Sequence, residues 1–229
     1  MSKKKKVVIT PEIIGRVSNL PAYCSGVQSD AGLVESGIQI FFILRIIILA
    51  LVDKKIKFNE IISIWKAITK ELKVNHAFRF WGDDLTIDAL PQGIRKGSLL
   101  KKIENGTKIK LYYNTKIRLE NIAIAKAYSF GTIGRLYDYP TFIEFVLDLI
   151  RTIKPNIPTL NDSPYLEHCA QNTTVVEDLL LTGIPGEVSN KFIPNITNRS
   201  KVHPQDLINW VESPAGKKAG YVLADKFNC

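Results

Sequence analysis

Alternation of apolar and polar residues marks the middle of the chain as strand-forming. Residues 108–113 alternate with a period of two, so that Lys108 and Lys110 share one face. The segments 116–119, 122–130 and 133–137 continue the β-rich pattern and are separated by turn residues. We therefore predict an antiparallel sheet in this region. Around residues 82–98, aspartate, proline and glycine predict turns about one short strand.

A helical spacing of apolar residues appears before and after this region. It predicts helices over 33–52, 58–73, about 140–153, 173–182 and 204–211. Gly183 is placed to end the fourth of these helices, and Pro204 suits the first position of the fifth. The pattern predicts an α+β fold in which a mainly antiparallel, basic sheet packs with several helices. We expect a single domain over 1–229 with a basic tail at 1–6.

Residues 33–52 are apolar enough to raise the question of a membrane span. The segment has the length of a transmembrane helix but carries Arg45 near its centre. A buried helix is the interpretation we favour over a membrane helix. The chain start lacks an apolar signal sequence, and three widely spaced cysteines, Cys24, Cys169 and Cys229, predict free thiols. We therefore expect a cytoplasmic protein.

The distribution of charge along the chain bears on its function. The 229 residues carry a formal net charge of +9, and nine basic residues stand against two acidic ones between Arg95 and Lys126. Such a cluster favours binding to nucleic acid, with a solvated outer face as the alternative. The residues expected to contact phosphates are Lys101, Lys102, Lys108, Lys110, Lys116 and Lys126.

His203 and Asp206 form the most suggestive constellation for chemistry. They stand three residues apart at the start of the last predicted helix, where both side chains can face one site. A histidine beside an aspartate can serve general acid–base catalysis. The alternative is structural: Asp206 stabilises the helix start and His203 caps it.

Size, basic charge, the sheet-rich middle and His203-x-x-Asp206 resemble the PabI-type restriction DNA glycosylases. The resemblance implies a half-pipe fold and a homodimer or higher oligomer that flips and excises adenine from GTAC in double-stranded DNA. Strand scission at the abasic site follows, without a metal or cofactor. His203 and Asp206 would match the catalytic pair, and Arg16 a DNA-contacting arginine.

Three other interpretations stay open. A metal-dependent type II restriction endonuclease would need clustered carboxylates, for which Asp83, Asp84 and Asp88 are the candidates. A non-catalytic nucleic-acid-binding protein would explain the charge alone, and a membrane protein would explain 33–52. Cleavage that persists in EDTA would exclude the endonuclease.

Overall fold

The computed structural model describes residues 6–29, 74–137, 166–167, 169–184 and 202–229. A six-stranded antiparallel sheet lies at its centre, with the strand order β4-β3-β2-β1-β5-β8. Its strands are β1 Cys24–Ser29, β2 His76–Phe80, β3 Leu85–Leu90, β4 Gly93–Ser98, β5 Lys108–Asn114 and β8 Tyr221–Phe227. A second, parallel pair is formed by β6 Leu136–Tyr137 and β7 Leu166–Glu167.

Helices pack on both faces of the six-stranded sheet. They are α1 Pro11–Ser18, α2 Leu99–Glu104, α3 Leu119–Gly131, α4 Cys169–Thr182, α5 Pro204–Glu212 and α6 Pro214–Lys218. On one face, Phe78, Phe80 and Leu111 pack against α1 and α2. On the other face, α3, α4 and α5 cover side chains that include Ile87 and Val27. The sheet is therefore buried on both sides.

The structure confirms the α+β class and several predicted elements. Lys108–Asn114 is a strand, and Ile109 and Leu111 are fully buried while Lys108 is exposed. The helix that ends before Gly183 is present, and Gly183 has the positive φ of 72° that glycine adopts readily. Pro204 opens α5 as predicted.

Two predictions in the middle of the chain are wrong. Residues 119–131 form α3, not strands, because its buried stripe consists of Asn121, Ala125 and Ser129, spaced by four residues. That stripe is small and polar, so the apolar pattern did not reveal it. Residues 82–98 hold β3 and β4 as a full hairpin rather than turns about one short strand.

The helices predicted over 33–52, 58–73 and 140–153 lie outside the described residues. Within the described residues, no helix combines the length and apolar character that crossing a bilayer requires.

Gly26 offers a direct test of packing in the centre of the sheet. A Cβ atom there would lie 2.2 Å from the Phe78 ring. Gly26→Ala should therefore lower the free energy of unfolding by about 1–3 kcal/mol through overpacking. Gly15 in α1 is the matched control, since a Cβ there meets nothing within 4 Å. Gly15→Ala should be neutral or stabilising by about 0.5–1 kcal/mol. Equal urea midpoints for the two variants would contradict this packing.

Candidate active site

Three side chains from distant parts of the chain meet at one end of β2. His76 is the first residue of β2, Asp88 lies on the neighbouring β3, and Cys169 is the first residue of α4. The imidazole of His76 interacts with both the Asp88 carboxylate and the Cys169 sulfur. All three side chains are buried. The site thus contains a thiol, an imidazole and a carboxylate. In covalent catalysis these groups serve as nucleophile, base and orienting acid.

The two nitrogens of the His76 ring have different surroundings. Nε2 lies 3.0 Å from Asp88 Oδ1. Nδ1 makes no hydrogen bond of regular geometry within the described residues. Burial alone would lower the pKa of His76, but the Cys169 sulfur and the Asp88 carboxylate outweigh it and raise the pKa to about 9. With Nε2–H donating to Asp88, Nδ1 is the nitrogen that gains and loses the titrating proton.

Asp88 is held in place by more than His76. Thr86 Oγ1 donates to Asp88 Oδ2 over 2.7 Å, and Lys102 Nζ donates to Oδ1 over 2.7 Å. Burial opposes ionisation, yet the hydrogen bonds and charges of His76 and Lys102 hold the pKa of Asp88 far below its usual range. Gly97 leaves room for the side chains of Asp88 and Thr86, since a Cβ at this position would lie 2.6 Å from both Asp88 Oδ2 and Thr86 Oγ1. The carboxylate is therefore ionised and oriented.

A buried ion pair fixes the helix that carries Cys169. Arg79 Nη2 lies 2.8 Å from Glu177 Oε1, and both side chains are 0% exposed. The hydroxyl of Ser25 donates to the same oxygen, and Tyr221 OH donates to Glu177 Oε2 over 3.0 Å. Burial and the Glu177 charge raise the pKa of Tyr221, so it stays a donor. Strands β1, β2 and β8 thus hold α4 two turns from its first residue.

The position of Cys169 at a helix start matters for its chemistry. The first N–H groups of a helix lack intrahelical acceptors, and the helix dipole favours a negative charge there. The other cysteines differ: burial raises the pKa of Cys24 to about 12, and Cys229 is an exposed free thiol at the chain end. Of the three, Cys169 is the cysteine that lies at a helix start beside the His76 ring, and its side chain is buried.

His203 and Asp206 are close in space, and both accept hydrogen bonds from backbone amides at the start of α5. The carboxylate of Asp206 accepts a hydrogen bond from the backbone N–H of His203 over 2.9 Å. The Nδ1 atom of His203 accepts from the Gln205 N–H over 3.0 Å. This arrangement is a capping box, in which two side chains satisfy the free amides of a helix start. The geometry matches the structural alternative given for this pair.

The basic residues expected to bind DNA are spread over several elements, and four of them have partners within the protein. Arg16 pairs with Asp225, Lys102 with Asp88, and Lys110 with Glu212. Lys116 Nζ donates to the Lys218 carbonyl. The exposed members Lys101 and Lys108 lie on α2 and β5, and Lys126 lies on α3. They do not form one alternating sheet face.

The three carboxylates considered as metal ligands, Asp83, Asp84 and Asp88, have different surroundings. Asp84 accepts from Ser98 Oγ and from the Leu100 N–H at the start of α2. Asp83 is exposed, whereas Asp88 is buried against His76. No group of three or more His, Cys, Asp or Glu side chains suited to a metal occurs in the part of the chain that the structure describes.

Sequence reasoning missed His76, Asp88 and Cys169 as a set. Cys169 was interpreted as a plain free thiol, because no spacing links it to His76, which lies far earlier in the chain. The available signal was weak: a cysteine just before a predicted helix and a histidine opening a short β-rich stretch. Only the fold brings them together.

Comparison with known proteins gives no family for this chain. No protein-family model matches it, and no curated protein or solved structure is significantly similar to it.

The raised pKa of His76 predicts how stability depends on pH. A histidine whose pKa rises from 6.5 to about 9 on folding stabilises the fold fully below pH 6.5. This contribution is lost as the pH rises through about 9. We expect the NMR titration of the His76 ring to have its midpoint near 9 and the free energy of unfolding to fall across the same interval. His76→Gln should abolish that part of the slope. A midpoint near 6.5 would contradict the charged environment described above.

Proposed function

We propose that the protein is a cysteine-dependent acyl-transfer enzyme, most simply a hydrolase of amides or esters. The observation that carries the proposal is the hydrogen bond between the His76 ring and the Asp88 carboxylate beside the buried Cys169, whose sulfur raises the pKa of His76. A nucleophile beside a base that is itself oriented by a third group is the general signature of covalent catalysis. The position of Cys169 at the start of α4 supports the same conclusion.

In the proposed reaction, Nδ1 of His76 holds the proton that the Cys169 thiol has given up, and the thiolate sulfur attacks the carbonyl carbon of the substrate. The carbonyl π electrons move to oxygen, and the positive end of the α4 dipole stabilises the resulting oxyanion. The imidazolium then protonates the leaving amine or alcohol as its bond to carbon breaks. Asp88 holds the Nε2–H throughout and stabilises the positive ring.

The acyl group then remains on Cys169 as a thioester. Water attacks that thioester while His76 takes its proton, and the thiol is released with a carboxylic acid. Cys169 and His76 are only 2% and 0% exposed. A substrate must therefore bring its acyl group to a buried thiol. Burial of the thiol keeps bulk water away from the reaction.

The first test uses p-nitrophenyl acetate as an activated ester. We expect an early burst of p-nitrophenolate and a Cys169 peptide that carries an acetyl group in mass spectrometry. Cys169→Ala should abolish both signals. His76→Ala should slow acetylation by about 10²–10⁴-fold, the usual contribution of a positioned base.

The controls use the other thiols. The assay is run in a Cys229→Ser background, because Cys229 is exposed and reacts on its own. Cys24→Ala should leave the burst unchanged, since the pKa of Cys24 lies at about 12. Acetylation of Cys169 that is equally fast in His76→Ala would refute the proposal.

Binding to double-stranded DNA is the second candidate function, favoured by a surface on α3 and β4. Lys96 Nζ and Lys126 Nζ lie 5.4 Å and 5.9 Å from the centre of the same ring, that of Phe130. The guanidinium of Arg135 lies 5.8 Å from the Tyr128 ring close by. We call these five residues the basic–aromatic patch. Neither Lys96 nor Lys126 forms an ion pair with another described residue. Two uncompensated lysines at one ring suit a phosphate backbone.

Salt dependence tests the patch. The double variant Lys96→Ala/Lys126→Ala should weaken binding to all DNA sequences alike. The slope of log affinity against log salt concentration should become shallower by roughly 0.9 per lost phosphate contact. Lys217→Ala/Lys218→Ala removes the same charge from exposed positions on α6 and is the matched control. Equal slopes for the two double variants would assign DNA binding to net charge and not to the patch.

The excision of adenine that the family resemblance implies stays a prediction, as do the half-pipe curvature, the homodimer and the cytoplasmic location. Asp206→Ala separates this activity from the proposal above. Loss of the cap should lower the free energy of unfolding by about 0.5–2 kcal/mol and leave acetylation of Cys169 intact. A glycosylase would instead release free adenine from GTAC-containing duplexes in EDTA, and Asp206→Ala would abolish that release. Absence of free base with wild-type protein would refute the glycosylase prediction.

A further inference from the structure

Lys102 reaches the interior of the candidate site from α2. Its Nζ lies 2.7 Å from Asp88 Oδ1, the same oxygen that faces His76 Nε2 at 3.0 Å. The side chain is 16% exposed, and its Nζ is also 3.3 Å from Gln28 Oε1 and 4.8 Å from the centre of the Phe78 ring. The ammonium group is therefore held by one carboxylate, one amide and one aromatic face.

We infer that Lys102 is a positioning residue of the proposed acyl-transfer site, which controls how strongly Asp88 acts on His76. The inference rests on the proposed function. Lys102 and His76 compete for one oxygen of Asp88, while Thr86 holds the other oxygen. The lysine thereby fixes the rotamer of the carboxylate and takes up part of its negative charge.

The charges around His76 show why this competition matters. Asp88 faces the ring from β3, Cys169 from α4, and Lys102 lies behind Asp88 on α2. Strand β1 adds only the neutral Gln28, which pairs with His76 across the sheet. Lys102 is thus a positive charge beside the same carboxylate oxygen that faces the imidazole. A nearby positive charge favours the deprotonated form of the imidazole.

Comparison with Lys101 shows that the contact with Asp88 is specific to Lys102. It is the next residue of the same helix, but its side chain is exposed and makes no ion pair with a described residue. Lys102 is one of the residues predicted to contact DNA, and its ammonium group lies against a buried carboxylate.

The test compares the pH dependence of Cys169 acetylation by p-nitrophenyl acetate in the Cys229→Ser background. Removing a positive charge raises the pKa of its neighbours, so Lys102→Met should move the pH–rate profile to higher pH by roughly 1. The NMR midpoint of His76 should move in the same direction. Lys102→Arg, which keeps the charge, should restore the wild-type profile, and Lys101→Met should match wild type throughout.

The outcomes separate the two proposals. If wild-type Cys169 is not acetylated, the proposed function fails. If it is acetylated but Lys102→Met has the wild-type profile, the inference about Lys102 alone is overturned. If Lys102→Met does not fold by circular dichroism, Lys102→Gln keeps a donor for Asp88 and is used instead. A shifted profile in Lys102→Gln supports the inference, and an unshifted one overturns it.

Discussion

The carboxylate of Glu177 fixes how α4 lies on the sheet. A buried carboxylate is tolerated only when it is paired and hydrogen-bonded, and removing one partner costs about 3–5 kcal/mol. Glu177 meets this requirement with Arg79 on β2, Ser25 on β1 and Tyr221 on β8. These three strands lie apart in the sequence, so the ion pair joins the N-terminal, middle and C-terminal parts of the sheet to one helix. Sliding α4 along the sheet by a turn would leave both charges unpaired.

The candidate site depends on that anchorage because Cys169 and Glu177 lie on the same helix. Cys169 stands eight positions before Glu177, so the first turn of α4 moves with the part of the helix that Glu177 anchors. His76 and Asp88 are fixed separately, by the ladder between β2 and β3 and by the bonds of Asp88 to Thr86 and Lys102. Two rigid bodies, a hairpin and a helix, thus bring the base and the nucleophile together.

Some of this fold could be predicted from the sequence, where one short pattern decides the structure. Alternation identified β5, and Gly183 and Pro204 marked a helix end and a helix start correctly. The pattern failed for α3, whose buried stripe of Asn121, Ala125 and Ser129 is recognised only through its packing on α4. The candidate site could not be predicted from the sequence for a related reason. His76, Asp88 and Cys169 share no spacing, and a charged group such as Arg79 carries no sequence signal that it will be buried.

The two described histidines show why residue type and proximity do not define a site. His203 and His76 each have an aspartate close by, at three and twelve residues. Asp206 accepts a hydrogen bond from the backbone N–H of His203, and the Nδ1 of His203 accepts from a backbone amide. Protonation of that nitrogen would break the helix cap. At His76 the aspartate holds the ring itself, through Nε2, beside the buried Cys169. A histidine and an aspartate therefore form a candidate acid–base pair where the carboxylate binds the ring, and this is why the proposed function assigns proton transfer to His76.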